Sequence, residues 1–167
     1  RSINIKGTLL DFSKPRVMGI LNVTPDSFSD GGRYNDMDGA LKHAEKMWQE
    51  GADILDIGGY SSRPGAADVS VQEELDRTIS VIEKLMAEFS PIISIDTYRS
   101  KVAEELAAIG SHMINDISGG TFDNNMFKTI AKLNIPYILM HINGTPQNMQ
   151  NNPIESSILL TLKSFFS

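Results

Sequence analysis

At 167 residues the chain can bury roughly 70% of the surface its unfolded form exposes, which is one ordinary core and one expected domain. Lys+Arg 15 against Asp+Glu 21 gives a formal charge of −6, which excludes the basic field that holds nucleic acid or an anionic membrane. The absence of cysteine excludes disulfides, thiolate metal sites and thiol nucleophiles, and without an apolar stretch long enough for a membrane span or signal segment a cytoplasmic protein is expected.

Along the chain, Ser2–Leu10 alternates apolar and polar residues around Gly7, which predicts a small hairpin. Five apolar runs follow, each stopping on an amide, a carboxylate or an imidazole. They are Val17–Leu21 before Asn22, Ile54–Leu55 before Asp56, Ile92–Ile95 before Asp96, Met113–Ile114 before Asn115 and Tyr137–Met140 before His141. Short β-branched runs bounded by polar and Gly signals predict strands covered on both faces, as in a parallel sheet flanked by helices.

Helical spacing separates the strands. Met37, Ala40, Leu41, Ala44, Met47 and Trp48 share a face within Asp36–Gly51. Ser70–Glu73 has the form of a capping box, and Leu75, Ile79, Ile82, Leu85, Met86 and Phe89 repeat at helical spacing behind it. Further helices are expected from about Arg99 to Ile109, around Asn124–Leu133 and within Ile154–Phe166. The long Gly-, Pro- and Ser-rich connections, Thr24–Asn35 and Gly58–Asp68, lie on the strand-to-helix side, whereas the returns are short. Long loops in a compact domain are usually functional, so the site is expected at the strand C-termini. Five strands satisfy an open, doubly wound sheet, and periodicity alone favours that arrangement over a barrel of eight units.

The strand tips and loops carry the candidate chemistry. Gly58–Gly65 joins glycines, two hydroxyls and a guanidinium, a set that suits phosphate or carboxylate and equally suits a polar turn. Asn22–Gly32 offers hard oxygen donors fit for Mg²⁺, although Asp26, Ser27 and Asp30 also read as local turn formers. Asp96 and Asn115 follow adjacent strands, and a carboxylate beside an amide fits a flat nitrogen heterocycle. Asp96 reads equally as an N-cap for the helix that follows. His141 reads as a base or as a hydrogen-bonding lining residue, and no partner for a catalytic triad is placed by the sequence.

Met18–Gly32 closely resembles the first signature of dihydropteroate synthase, and Asp56–Ala66 resembles its second. In that second signature many members carry an acidic residue where Tyr60 stands and Thr where Ser62 stands. Ser94–Thr97, Ile114–Gly120 and Met140–Pro146 are similar to further stretches of the family, in its order. The resemblance implies the first half of a (βα)8 TIM barrel: about five parallel strands, covering helices and an N-terminal hairpin. Residues 1–167 would be a pterin-binding barrel domain with its C-terminal half absent.

The implied activity joins 6-hydroxymethyl-7,8-dihydropterin pyrophosphate to p-aminobenzoate with loss of pyrophosphate. It uses Mg²⁺, belongs to folate biosynthesis and is the target of sulfonamides. Carried over by position, Asp96 and Asn115 would bind the pterin ring, with Met140 lining that pocket. Asn22 would sit by the pyrophosphate and its metal, while Phe28, Ser62, Arg63 and Pro64 would form the p-aminobenzoate side. Asp56 and Asp96 would stabilise positive charge on the ring as pyrophosphate leaves. The family pattern implies a homodimer for the full-length protein and small-molecule partners only. Related alternatives are a pterin-binding methyltransferase and a non-catalytic half-barrel.

Overall fold

The computed structural model describes residues 1–24, 33–60, 69–145 and 157–167. Lys6 and Gly7 both take positive φ, 48° and 92°, and this reverses β1 (Ser2–Ile5) onto β2 (Thr8–Asp11) in an antiparallel pair. Two consecutive left-handed residues give a turn whose twist matches that of the strands, and Gly takes such a φ without a Cβ penalty. The hairpin extends one residue past the predicted span. Its buried Ile5 and Leu10 pack with Ile54 and Met113, and Met18 and Ile92 join the same cluster. Those four partners are the first residues of their strands, so the hairpin covers the N-terminal end of the main sheet.

That sheet consists of β3 (Met18–Asn22), β4 (Ile54–Gly58), β5 (Ile92–Asp96), β6 (Met113–Asp116) and β7 (Tyr137–Leu139). The strands are parallel and pair in chain order, β3-β4-β5-β6-β7. A doubly wound sheet reverses its strand order at a switch point. Here the order never reverses, so the arrangement favoured by periodicity alone is wrong and the barrel arrangement is the one adopted. Apolar periodicity reports burial on both faces and is silent about which strand lies beside which.

The helices are α1 (Arg33–Gln49), α2 (Val71–Glu88), α3 (Ser100–Ala108), α4 (Met126–Leu133) and α5 (Ile158–Phe165). Each of the first four follows one strand of the sheet, and the sequence reading differs from them by a few residues at the ends. Helix α2 begins on the expected capping box: Ser70 Oγ accepts from the Glu73 amide at 3.2 Å, and the Ser70 amide donates to Glu73 Oε2 at 2.9 Å. Leu21, Leu55, Ile57, Ile93, Ile95 and Ile114 turn outward to meet Ala44, Ile82, Leu85, Val102 and Leu106 from the helices, all of them fully buried. At about 1.5–3 kcal/mol for each large aliphatic side chain removed from water, this outer layer fixes the strands and frees their inner face for polar residues.

Candidate functional site

Register places the inner-face residues in rows. One row runs Asn22, Gly58, Asp96, Asn115 and Ile138 across all five strands, and the row beneath it runs Ile20, Asp56, Ser94 and Met113. Side chains alternate along a strand, so every residue in these rows points to the same side of the sheet. The upper row lies at the C-terminal ends of the strands, where a parallel α/β sheet binds ligands.

Asn115 Nδ2 donates to Asp56 Oδ2 at 2.9 Å, which ties the two rows together. The remaining oxygen, Asp56 Oδ1, and the neighbouring Ser94 hydroxyl are buried without a hydrogen-bond partner. Burial raises the pKa of Asp56, opposed by the adjacent Ser94 and Asn115 side chains. Asp96 is pushed up to about 7, chiefly by burial and then by the negative charge of Asp56, with Glu74 and Asp116 adding to the rise and the Tyr60 hydrogen bond opposing it. That bond runs from the Tyr60 hydroxyl to Asp96 Oδ1 at 3.0 Å. Two carboxylates that resist ionisation, side by side on an inner sheet face, are a signature of a working site as well as of structural networks.

Gly58 occupies the row between Asn22 and Asp96. A Cβ there would lie 3.3 Å from Asp96 Oδ2 and 3.5 Å from Asn22 Oδ1, so a side chain at this position would crowd both oxygens. Asn22 is exposed at the tip of β3, and Met140 is exposed just beyond β7. Among the described residues no group of three or more His, Cys, Asp or Glu could hold a metal ion. The expected Phe28, Ser62, Arg63 and Pro64 lie outside the described residues. Likewise, among the described residues no helix is long and apolar enough to cross a membrane.

The N-cap reading of Asp96 fails. Helix α3 begins after Arg99, whose amide donates to Thr97 Oγ1 at 3.2 Å, and the Ser100 amide donates to Asp123 Oδ2 at 2.7 Å. With those amides held elsewhere, Asp96 is left to face the inner pocket. His141 packs edge-on against Phe165, ring centroids 4.8 Å apart, which is a lining contact.

Sequence reasoning missed several members of the site. Ser94 sits two residues before Asp96 and so on the same face, a signal that strand alternation alone could have given. Tyr60 was visible only as a departure from a motif. Glu74, 1% exposed, accepts from Thr97 Oγ1 and from Arg99 Nη1, both at 2.7 Å, and sits behind the tip of β5. Asp116 accepts from the Ser118 amide and hydroxyl, the Gly120 amide and the Tyr137 hydroxyl, which locks the turn after β6.

A hairpin closing one end, five parallel strands in barrel order and paired carboxylates and amides at the other end define a (βα)-barrel protein with its candidate site at the strand tips. The profile of the pterin binding enzyme family matches residues 18–167, and the chain belongs to that family. It is 50% identical over 161 residues to the dihydropteroate synthase of Synechocystis, a match covering 96% of this chain and 56% of that protein. Of solved structures, that of the Yersinia pestis dihydropteroate synthase with a sulfonamide drug complex superposes with a TM-score of 0.89 at 47% identity, covering 99% of this chain and 60% of the other. The Xanthomonas albilineans dihydropteroate synthase with 4-aminobenzoic acid superposes at 0.87 with 40% identity, covering 99% and 58%. The chain thus spans a little over half the length of the bacterial dihydropteroate synthases it matches.

Proposed function

We propose that the protein acts as a dihydropteroate synthase, condensing 6-hydroxymethyl-7,8-dihydropterin pyrophosphate with p-aminobenzoate to give dihydropteroate and pyrophosphate. The observation that carries this reading is the single register row of Asn22, Asp96 and Asn115, with the Asp56 carboxylate one inner row below. A carboxylate that accepts two N–H groups, beside an amide that donates and accepts, matches the edge of a pterin ring. Asp96 and Asn115 bind that edge in this reading, and Met140 lines the pocket.

Loss of pyrophosphate from the pterin methylene leaves positive charge on the ring. Asp56 and Asp96, held close by in a poorly solvated site, stabilise that charge without acting as a general base: the neutral aniline nitrogen is already nucleophilic, its C–N bond forms as the C–O bond to pyrophosphate breaks, and its surplus proton leaves with pyrophosphate or to water. Phe28, Ser62, Arg63 and Pro64 serve p-aminobenzoate in the same reading, supported by the family motif and by the 4-aminobenzoic acid complex of the Xanthomonas relative.

Mg²⁺ fits the donors present. An exposed amide oxygen on Asn22 is a hard ligand, and Mg²⁺ commonly binds through one or two protein groups with the remaining positions taken by water and substrate phosphates. Asn22 would hold it beside the pyrophosphate, where its charge neutralises the leaving group. A homodimeric, cytoplasmic full-length enzyme belongs to the same reading. So does a single pterin-binding unit over residues 1–167, with the C-terminal half of the barrel lying outside them.

A second reading, pterin binding without turnover by these 167 residues, is favoured by Ile20 and Ile138, inner-face residues that are 63% and 36% exposed. Pyrophosphate release measured with and without p-aminobenzoate separates the two. Release that depends on p-aminobenzoate and falls at least about 100-fold in Asp96→Asn is expected for the synthase, given what a lost charged partner in a buried site costs. Pterin binding with no p-aminobenzoate-dependent release would leave the second reading standing.

A further inference from the structure

Tyr60 is 6% exposed, yet its hydroxyl reaches the candidate site. It donates to Asp96 Oδ1 at 3.0 Å from the residue pair directly after β4. Its ring meets Tyr98 edge-on at 5.1 Å, Tyr98 meets Phe122 edge-on at 5.5 Å, and the Arg99 guanidinium lies 5.1 Å from the Tyr98 ring centre. Such a chain of interlocked rings leaves the hydroxyl little freedom to move. With Oδ1 engaged, the other oxygen of Asp96, Oδ2, lies over Gly58, on the side shared with Asn22 Oδ1.

We propose that Tyr60 is a positioning residue for Asp96: its hydroxyl holds Oδ1 and so presents Oδ2 and the plane of the carboxylate to the ligand. The inference rests on the reading of Asp96 as the pterin-binding carboxylate. Among the described residues, the charges that act most strongly on Asp96 oppose its ionisation: Asp56 on β4, Glu74 on α2 and Asp116 on β6. Tyr60 supplies the opposing donor, and because burial, then Asp96 itself, and then Glu74 and Asp116 push its own pKa far up, it keeps its proton wherever Asp96 titrates. A hydrogen bond to an ionised acceptor is roughly twice as strong as a neutral one, so the hydroxyl favours the form of Asp96 that can accept two N–H groups.

The test is Tyr60→Phe, which keeps the ring and its packing and removes only the hydroxyl. Affinity for free pterin would be followed by its fluorescence at about pH 6 and pH 9, and the Asp96 carboxyl would be titrated by carbon-13 NMR. Binding about tenfold weaker than the parent at the lower pH, a gap that narrows at the higher pH, and an Asp96 midpoint raised by about one pH unit are expected. Unchanged affinity and midpoint would overturn the proposal, and so would a loss equal at both pH values with the Asp96 midpoint unmoved, because altered packing alone gives that result. If Tyr60→Phe does not fold, 3-fluorotyrosine at position 60 keeps the shape and strengthens the donor, and it should lower the midpoint. Asp96→Asn run alongside isolates the underlying reading. Should that variant bind pterin like the parent, the pterin assignment fails, while the NMR midpoint still decides whether Tyr60 governs Asp96.

Discussion

Asp96 shows at the scale of one residue how a site is maintained against folding. Its carboxyl keeps its proton up to about 7, held there mainly by burial and by Asp56. Across the window from its ordinary pKa of 3.8 to about 7, the folded protein binds a proton that the unfolded chain has released. Stability therefore falls as pH rises through this window and reaches its full loss above the folded pKa. Asn at this position has no charge to desolvate and can still accept from Tyr60. Asp96→Asn should therefore be about as stable as the parent near pH 4 and more stable by about 4 kcal/mol near pH 8, in urea unfolding at both pH values. The same change presents an N–H donor to the ring donors of a pterin and should abolish binding. Equal stabilities at pH 8 would show that Asp96 ionises without strain. The sequence showed Asp96 and Asn115 as strand-tip residues, but the cost of holding the carboxylate was hidden, because it comes from burial and from Asp56, Glu74 and Asp116 in other segments of the chain.

Helix α2 and the tip of β5 are joined at the scale of elements by one buried carboxylate. Glu74 lies in the first turn of α2, where negative charge suits the helix dipole, and its side chain is 1% exposed against 15% for Arg99. Burial raises its pKa, opposed by Thr97, Arg99 and Arg77. Arg99→Ala strips the carboxylate of its ionic partner and should destabilise the fold by about 3 kcal/mol, since a lone buried charge costs far more than the pair contributes. The sign of the pH effect follows from the acid's raised pKa. As pH falls toward about 4.5 the unpaired carboxyl takes up a proton and the deficit shrinks, so the loss should be larger at pH 8 than at pH 5. A deficit independent of pH would place the cost in lost packing of the Arg99 side chain over Tyr98. The capping box that starts α2 was legible because both of its partners lie within four residues. The start of α3 was read to within one residue, but its cap was not, because one of its capping acceptors is Asp123, 23 residues away.

For the whole molecule, strand positions were readable from apolar runs while strand order was not, since Val, Ile and Leu report burial without naming a neighbour. The family motifs supplied the order, and the observed sequence β3 to β7 leaves those two strands as the edges of the sheet. The inner face near the edges is apolar where it meets water: Ile20 on β3 is 63% exposed, Ile138 on β7 is 36% exposed and Met140 beyond it is 43% exposed. Unpaired edges beside exposed aliphatic side chains favour pairing with another chain. The 167-residue polypeptide should therefore self-associate at micromolar concentration in sedimentation velocity. Ile20→Lys with Ile138→Lys removes roughly 1–2 kcal/mol of apolar burial from such a contact, given the partial exposure of both side chains. That should raise the dissociation constant about tenfold, at 1.4 kcal/mol per decade. Charges on the inner face also interrupt strand pairing at both edges, so the two effects act in the same direction. A parent that sediments as a monomer at about 100 μM would mean that the exposed rows are too weakly apolar to drive association.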